Sequence, residues 1–435
     1  MQPSDRWAAT HAHVRALLVA TVGITASVIG QRSDLLLLVT PLVIVLIWSV
    51  LTRPATVPTR RMTVSPPVLR EGDRAHLVVR TEHVPGMDLV ATSVADSPWV
   101  RLRPPHGSRV HLAGAEDRQA GTVQLTTGAD PQRWGTRRIG PGLVGAASPW
   151  GAFRWGPVPL PETSVRALPN PSVFDASAPA PHPRGLVGLH RSLRPGEGSE
   201  FASIRPFQWG DRLKRIHWAR SLRSGELHVT SSYADQDTHV AVIVDAHYDL
   251  GVSGGVSRSP SSLDHTVRAA AAVSEHFLHQ GDRVSLQVFS ARTPVRVPAG
   301  AGRRHGRRIL ETLSTIVPSP QEETDHRQVR FGLRAGTLVV MISALISPQA
   351  LTHAAMLARS GLSVVVIDAL GQDITSPGEQ EPIGILAWRI RMLERAREVR
   401  RIQQAGVPVV PWLGPGSLDV VLRSLARRGR QGMVG

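Results

Sequence analysis

Two apolar runs stand within the first 51 residues, VRALLVATVGITASVIG from Val14 and LLLLVTPLVIVLIWSVL from Leu35, with only Gln31 to Asp34 between them. Each is about 17 residues long, roughly 26 Å as a helix, the short end of what spans a bilayer. The spacing predicts a transmembrane helical hairpin over 14–52. Pro41 lies inside the second run, where a kink is tolerated in lipid. Arg6 and Arg15 precede the pair, Arg53, Arg60 and Arg61 follow it, and Arg32 alone occupies the turn. The basic flanks place both ends, and with them a tail of residues 1–13 and the bulk of the chain, on the cytoplasmic side of the cell membrane. The rival reading is a secretory signal cleaved near Val28 to Gly30; a second apolar run directly behind it favours the hairpin.

The chain of 435 residues is long enough for several domains, and its 50 Lys and Arg against 34 Asp and Glu give a formal net charge of +16. Such an excess suits an anionic neighbour. A basic body tethered beside an anionic leaflet accounts for it without nucleic acid, although charge alone serves both readings. Cysteine is absent, which excludes disulfides, thiolate metal sites and cysteine nucleophiles.

Beyond the hairpin the fold class expected is multidomain: an all-β sandwich-like domain and then a doubly wound α/β domain. Residues 53–171 carry short alternating runs, AHLVVR, MDLVATSV, RVHLA and AGTVQLTT, separated by Gly, Pro and Asp. GPGLVG, Gly140 to Gly145, fits a dinucleotide fingerprint in letters only. That fingerprint needs a helix directly behind the loop, and Pro149, Gly151 and Gly156 break the next turn, so these are turn glycines. Residues 172–237 read as a linker, Pro, Gly, Ser and Ala-rich to about 200, followed by a dense polar motif. From 238 to 435, continuous apolar strands (THVAVIVDA, RVSLQVF, GTLVVMIS, LSVVVIDA and a short VPVV) alternate with helical stretches, the pattern of a mainly parallel sheet. The helix over Ser261 to Gln280 sets Leu263, Val267, Ala270, Phe277 and Leu278 on one face. A late helix sets Ile385, Trp388, Met392, Val399 and Ile402 on one stripe, expected to pack on the core with a solvated basic face opposite; a lipid- or partner-contacting face is the alternative.

Ligands of open sheets bind beyond the carboxyl ends of the strands, so the loop after the first strand, DAHYDLGVSGG, is the first place to look. Asp245, His247 and Asp249 occupy alternate positions there, which in an extended loop aims three side chains one way. The arrangement resembles the metal-ion-dependent adhesion site of von Willebrand factor type A domains, in which an Asp-x-Ser-x-Ser loop, a Thr and a later Asp surround magnesium. The resemblance implies a degenerate metal set of Asp245, His247, Asp249 and Thr324, with magnesium as the ion; His247 and Asp249 stand in place of the serines, and Ala344 near the later Asp. GVSGG, Gly251 to Gly255, matches the letters of a serine-hydrolase elbow, but Ser253 lies in a loop several residues before the helix instead of at a strand-to-helix turn. A metal-assisted or serine hydrolase using Asp245, Asp249 and Ser253 is the enzymatic alternative to a chain with no catalytic residues.

The stretch RPFQWGDRLKRIHWARS, Arg205 to Ser221, packs aromatic, basic and acidic residues into a segment of no clear period. Gly210 permits a tight turn, Asp211 can pair with Arg212 or Arg215, and Ile216 and Trp218 alternate as for a sheet neighbour. A strap bracing sandwich to sheet is the reading these features favour; a partner-docking surface and nucleic-acid binding are its rivals. With its flanks from Arg194 to Val229, the stretch resembles the signature of the domain-of-unknown-function-58 family, carried here by Arg205, Gly210, Asp211, Arg215, Ile216, His217 and Trp218. The upstream ASPWGAFRW and VRALPNP resemble further family elements. The resemblance implies a membrane protein with a von Willebrand type A-like domain, associated with MoxR-type AAA ATPases or envelope proteins, with no established reaction. Phe207 stands at a family Tyr, and Ser221 and Leu222 near its Ala.

Overall fold

The structure, a computed structural model, describes residues 5–82, 86–171, 195–233, 239–256, 258–289, 295–318, 331–371, 374 and 381–412. Two compact units divide the chain near Pro169, with residues 255–257 joining the first.

In the first unit a short strand β1 (Ala8–Ala9) leads into two helices, α1 (His11–Gly30) and α2 (Ser33–Leu51), each long and apolar enough to cross a bilayer. Thr10 caps α1, its side chain accepting from the His13 amide at 3.2 Å. Gln31, in the left-handed region at φ 51°, reverses the chain, and an Arg32–Asp34 ion pair at 2.7 Å sits in the turn. Ala20, Val39 and Leu46 form the seam, with Ala16, Leu42 and Val43 against it. The outer faces stay apolar and uncovered, Leu37, Leu38 and Ile29 among them.

The remaining strands of this unit are β2 (Thr59–Ser65), β3 (Val68–Arg70), β4 (His76–Glu82), β5 (Leu89–Val94), β6 (Val100–Arg103), β7 (Arg109–Leu112), β8 (Thr122–Pro131), β9 (Gly135–Ile139), β10 (Gly142–Ala147), β11 (Phe153–Leu160) and β12 (Thr163–Leu168), with a single short helix α3 (Ala115–Ala120) among the described residues. They form sheets in the orders β1-β11-β10-β5-β7, β2-β4-β8-β6 and β3-β12-β9, antiparallel except where β3 meets β12. The period-two pattern is visible in burial: Leu77 and Val79 of β4, Val123 and Leu125 of β8, Val144 of β10 and Trp155, Val158 and Leu160 of β11 meet in one core. GPGLVG runs directly into β10, and what comes after that strand is a three-residue 3-10 turn, Pro149–Gly151, not an α-helix.

Residues 5–10, within the expected tail of residues 1–13, pair with the sandwich. β1 adds to β11, Ala8 opposite Arg154 and Ala9 opposite Phe153. Asp5 accepts from the Trp155 indole at 2.8 Å, Thr10 donates to the Gly151 carbonyl at 2.7 Å, and the Trp7 indole donates to Thr56 at 2.9 Å, past the end of α2. Both ends of the helical pair are therefore fastened to one sandwich. An edge strand recruits whatever extended segment reaches it, and no periodicity within two residues announces this.

In the second unit β13 (Pro195–Pro206) and β14 (His228–Tyr233) form a hairpin with α4 (Trp218–Ser224) in its loop. Residues 195–200 are thus strand where the composition reads as linker, and the strand runs on into the signature motif; residues 172–194 lie outside the description. The α/β part contains β15 (His239–Asp245), α5 (Ser262–His279), β16 (Arg283–Phe289), β17 (Val295–Gly300), α6 (Arg303–Leu313), β18 (Leu338–Ser343), α7 (Pro348–Arg359), β19 (Ser363–Asp368), α8 (Pro382–Gln404) and β20 (Val409–Pro411). The sheet order is β17-β16-β15-β18-β19-β20, parallel except for the edge strand β17. Ile243, Val339, Met341, Val364 and Val366 face a core closed by Ala350, Ala354, Leu357 and Ile402 of α7 and α8. α5 and α6 pack on each other, α5 against β15, β16 and β18. Helices alternate with buried parallel strands, the doubly wound arrangement.

Candidate functional site

The chain leaves β15 toward β16 on one side and returns as β18 on the other, so the carboxyl ends of β15 and β18 mark the point where strand order reverses. Open sheets usually take their ligands there. Here Asp245 ends β15 and Ser343 ends β18, and the gap between them is closed from within. The Ser343 hydroxyl donates to Asp245 Oδ2 at 2.6 Å and accepts from the Leu345 amide at 2.9 Å. Asp245 Oδ1 accepts from the His247 amide at 3.1 Å and meets His247 Nδ1 at 2.7 Å. An ionised carboxylate only accepts, so Nδ1 carries the proton. Both side chains are buried, and the His247 ring lies edge-on to Phe289 at 5.3 Å, in a cluster with Phe331 and His353. Burial holds the His353 imidazole below its ordinary pKa; the nearby Asp245 charge opposes that shift and His247 adds to it.

Asp249 points elsewhere. Its Oδ1 accepts from the Leu263 amide at 3.2 Å, in the first turn of α5, while Leu250 and Ser262 exchange two further bonds. The Ser253 hydroxyl donates to Asp264 Oδ2 at 2.5 Å, beside the Ser261–Asp264 capping box that opens α5. Asp245 and His247 thus come together with Ser343, whereas Asp249 and Ser253 serve the start of α5. Thr324 lies outside the described residues. Magnesium asks for several oxygen donors about one point. Among the described residues no group of three or more His, Asp or Glu side chains assembles a metal site, and both Asp245 oxygens already hold hydrogen-bond donors. Among the described residues these donors do not fit magnesium.

Asp368, at the end of β19, is the second carboxylate at this edge. Burial pushes its pKa up, and the Arg395 guanidinium, in contact with it, opposes that shift. Arg395 also donates to the Ala344 carbonyl at 3.2 Å, and Arg391 donates to Ile346 at 2.8 Å. Two arginines of α8 therefore tie the helix across the strand ends. Sequence reading passed over Ser343, Asp368, Arg391 and Arg395; the position of Ser343 and Asp368 as last residues of apolar strands is the signal that marks them.

The signature segment is a different kind of site. Its polar residues are scaffold. Arg205 forks onto Asp211 at 2.8 and 2.6 Å, and Asp211 also accepts from the Gln208 amide at 2.9 Å. The Arg205 hydrogen bonds, then that amide, hold the Asp211 carboxyl below its ordinary pKa. Arg205 is the residue that forks onto Asp211, and the Arg215 charge, one of the two expected partners, adds to the same effect. Gly210 takes φ 105°, a conformation glycine alone adopts freely. Arg215 closes a short 3-10 turn, Leu213–Arg215, and Ile216 bridges to Val229 of β14. His217 caps α4, its Nδ1 accepting from the Arg220 amide at 3.2 Å, and Ser221 bonds both His217 and the His228 amide.

The apolar residues face out. Trp209 is fully exposed, Trp218 62%, Leu213 69% and Leu222 80% exposed, with Arg212, Lys214, Arg220 and Arg223 exposed around them. Neither indole ring is covered by its own hairpin. The period of a short irregular segment does not say which way its rings point.

Residues 203–404 match the family model described as "Protein of unknown function DUF58". Similar curated proteins include the uncharacterized protein Rv1480 of Mycobacterium tuberculosis (strain ATCC 25618 / H37Rv) and the uncharacterized protein Mb1516 of Mycobacterium bovis, each 33% identical over 190 residues. The alignment takes in 43% of this chain and 52% of each relative, so the chain spans about half the length of the curated relatives it matches. From the exposed signature hairpin through the sheet to α8, this is a stretch similar to the DUF58 domain.

Proposed function

We propose that the protein is a membrane-anchored cytoplasmic interaction module with no catalytic residues, its α/β part resembling a von Willebrand factor type A domain. α1 and α2 form the anchor, and the signature hairpin is the surface that receives a partner. Trp and Arg side chains displayed on a rigid polar frame are the composition of an interface centre. That Trp209, Leu213, Trp218 and Leu222 stand exposed while Arg205, Asp211, His217 and Ser221 lock the loop beneath them is the observation that carries the reading. The anchor is supported by the length and apolar faces of the two helices. It is also supported by the tie of residues 5–10 into β11, since cleavage near Gly30 would strip a strand from the sandwich. The family resemblance suggests a MoxR-type AAA ATPase of a cell-envelope system as the partner.

The test is co-purification of the full chain, solubilised from membranes, with a co-expressed MoxR-type ATPase. The double variant Trp209→Ala, Trp218→Ala is expected to fold and to lose the partner at least about tenfold. Equal recovery by both forms refutes the docking face. Exposed rings beside arginines also suit stacking on single-stranded nucleic acid. Oligonucleotide binding that these two substitutions abolish and that falls steeply with salt assigns the surface to nucleic acid instead.

A further inference from the structure

α8 carries two stripes where its sequence announced one. The inner side is committed to the sheet: Ile402 is buried, Trp388, Met392 and Val399 are half-buried, and Arg391 and Arg395 bond the strand-end loops. A second stripe, Ile383, Leu386, Ile390 and Leu393, follows the i, i+3, i+7, i+10 spacing of one helical face, each residue 50 to 81% exposed. The same face continues with Arg397 and Arg400, flanked by Arg389 and Arg401, all exposed. Glu394 and Glu398, the acidic residues of this helix, are paired with Arg391 at 3.2 and 3.0 Å, Glu394 at the exposed edge of the stripe and Glu398 on the inner side.

We infer that this face of α8 lies on an anionic lipid leaflet, its four aliphatic side chains in the headgroup boundary and its arginines on the phosphates. Aliphatic residues followed by arginines on one helical face are the chemistry of an interfacial helix. The inference rests on the anchor reading, because the apolar pair α1 and α2 is what keeps the rest of the chain beside the bilayer and turns a weak lipid contact into an intramolecular one. A second copy of the chain is the other occupant to be tested, and the formal net charge of +16 on each copy opposes bringing two arginine-bearing faces together.

The chain contains no cysteine, so a single introduced thiol labels one place. Full-length Leu386→Cys, Thr352→Cys on the exposed side of α7, and Leu37→Cys on the outer face of α2 are each labelled with an environment-sensitive fluorophore. They are then reconstituted in vesicles of phosphatidylcholine and phosphatidylglycerol doped with lipid-borne quencher. The Leu386 probe is expected to be quenched at least about twofold more than the Thr352 probe, and to lose this in pure phosphatidylcholine or on adding Ile383→Glu and Ile390→Glu. Quenching at Leu37 with none above the Thr352 level at Leu386 overturns the inference and leaves the anchor standing. Absence of quenching at Leu37 overturns both. Shielding of Leu386 that follows protein-to-lipid ratio and ignores the lipid quencher assigns the stripe to a second copy and overturns the lipid contact.

Discussion

Replacing Asp245 distinguishes a carboxylate that organises the sheet from one kept for a ligand. It accepts three bonds in a buried position, from the Ser343 hydroxyl at 2.6 Å, from His247 Nδ1 at 2.7 Å and from the His247 amide at 3.1 Å. Hydrogen bonds to a charged group contribute about 1.5–3 kcal/mol each, and part of that sum returns when the buried charge itself is removed. Asp245→Ala should therefore destabilise the sheet by about 3–5 kcal/mol, or roughly 6–20 °C for a domain of this size. Asp245→Asn keeps an acceptor for His247 and can donate to Ser343 Oγ, which has a second lone pair; about 1–2 kcal/mol is expected. Ser343→Ala, which also strands the Leu345 amide, should cost about 2 kcal/mol, and less once Asp245 is already Ala. Hydrogen exchange of the peptides covering β15 and β18 in the full chain reads these values locally. A loss below about 1 kcal/mol for Asp245→Ala, or strict additivity with Ser343→Ala, refutes the reasoning. So does a magnesium-dependent rise in protection of wild-type β15, because only an ion bound by the native form produces one.

Four further outcomes are expected. The Arg205–Asp211 clasp lowers the Asp211 pKa, so its contribution is complete above about pH 4 and lost as pH falls below it toward the folded value. Amide exchange over 207–211 should rise in that window, and Asp211→Asn should remove the pH dependence. His353, held neutral by burial, contributes in full above its ordinary pKa of 6.5 and loses that contribution as pH falls toward its folded value; unfolding measured from pH 7.5 to 5 should flatten in His353→Leu. Arg395→Ala leaves Asp368 buried without its cation and should cost about 3–5 kcal/mol in thermal unfolding, with a second change Asp368→Asn recovering a large part. A Cβ at Gly156, where φ is 81°, would lie 2.7 Å from the Val144 carbonyl. Gly156→Ala should destabilise the sandwich by at least about 2 kcal/mol in the same assay, and a neutral result removes the argument.

By itself the sequence determined the elements. Runs near 17 residues gave the helical pair, period two gave the sandwich strands, and unbroken Val and Ile runs gave the parallel sheet, because burial on one face or two leaves a spacing the chain cannot hide. It also located Asp245 and His247 beside a strand end. Tertiary structure alone decided what each face meets. Whether Asp245 turns to an ion or to Ser343, 98 residues away, depends on which strand lies next to β15. Whether Trp209 and Trp218 fold onto their own hairpin or protrude from it depends on how Arg205, Asp211 and His217 fold the loop under them. Ala8 and Ala9 become a strand only because β11 offers an edge, and the outer stripe of α8 is recognised only once the inner one has been claimed. Periodicity reports which residues share a side, and long-range pairing supplies the neighbour.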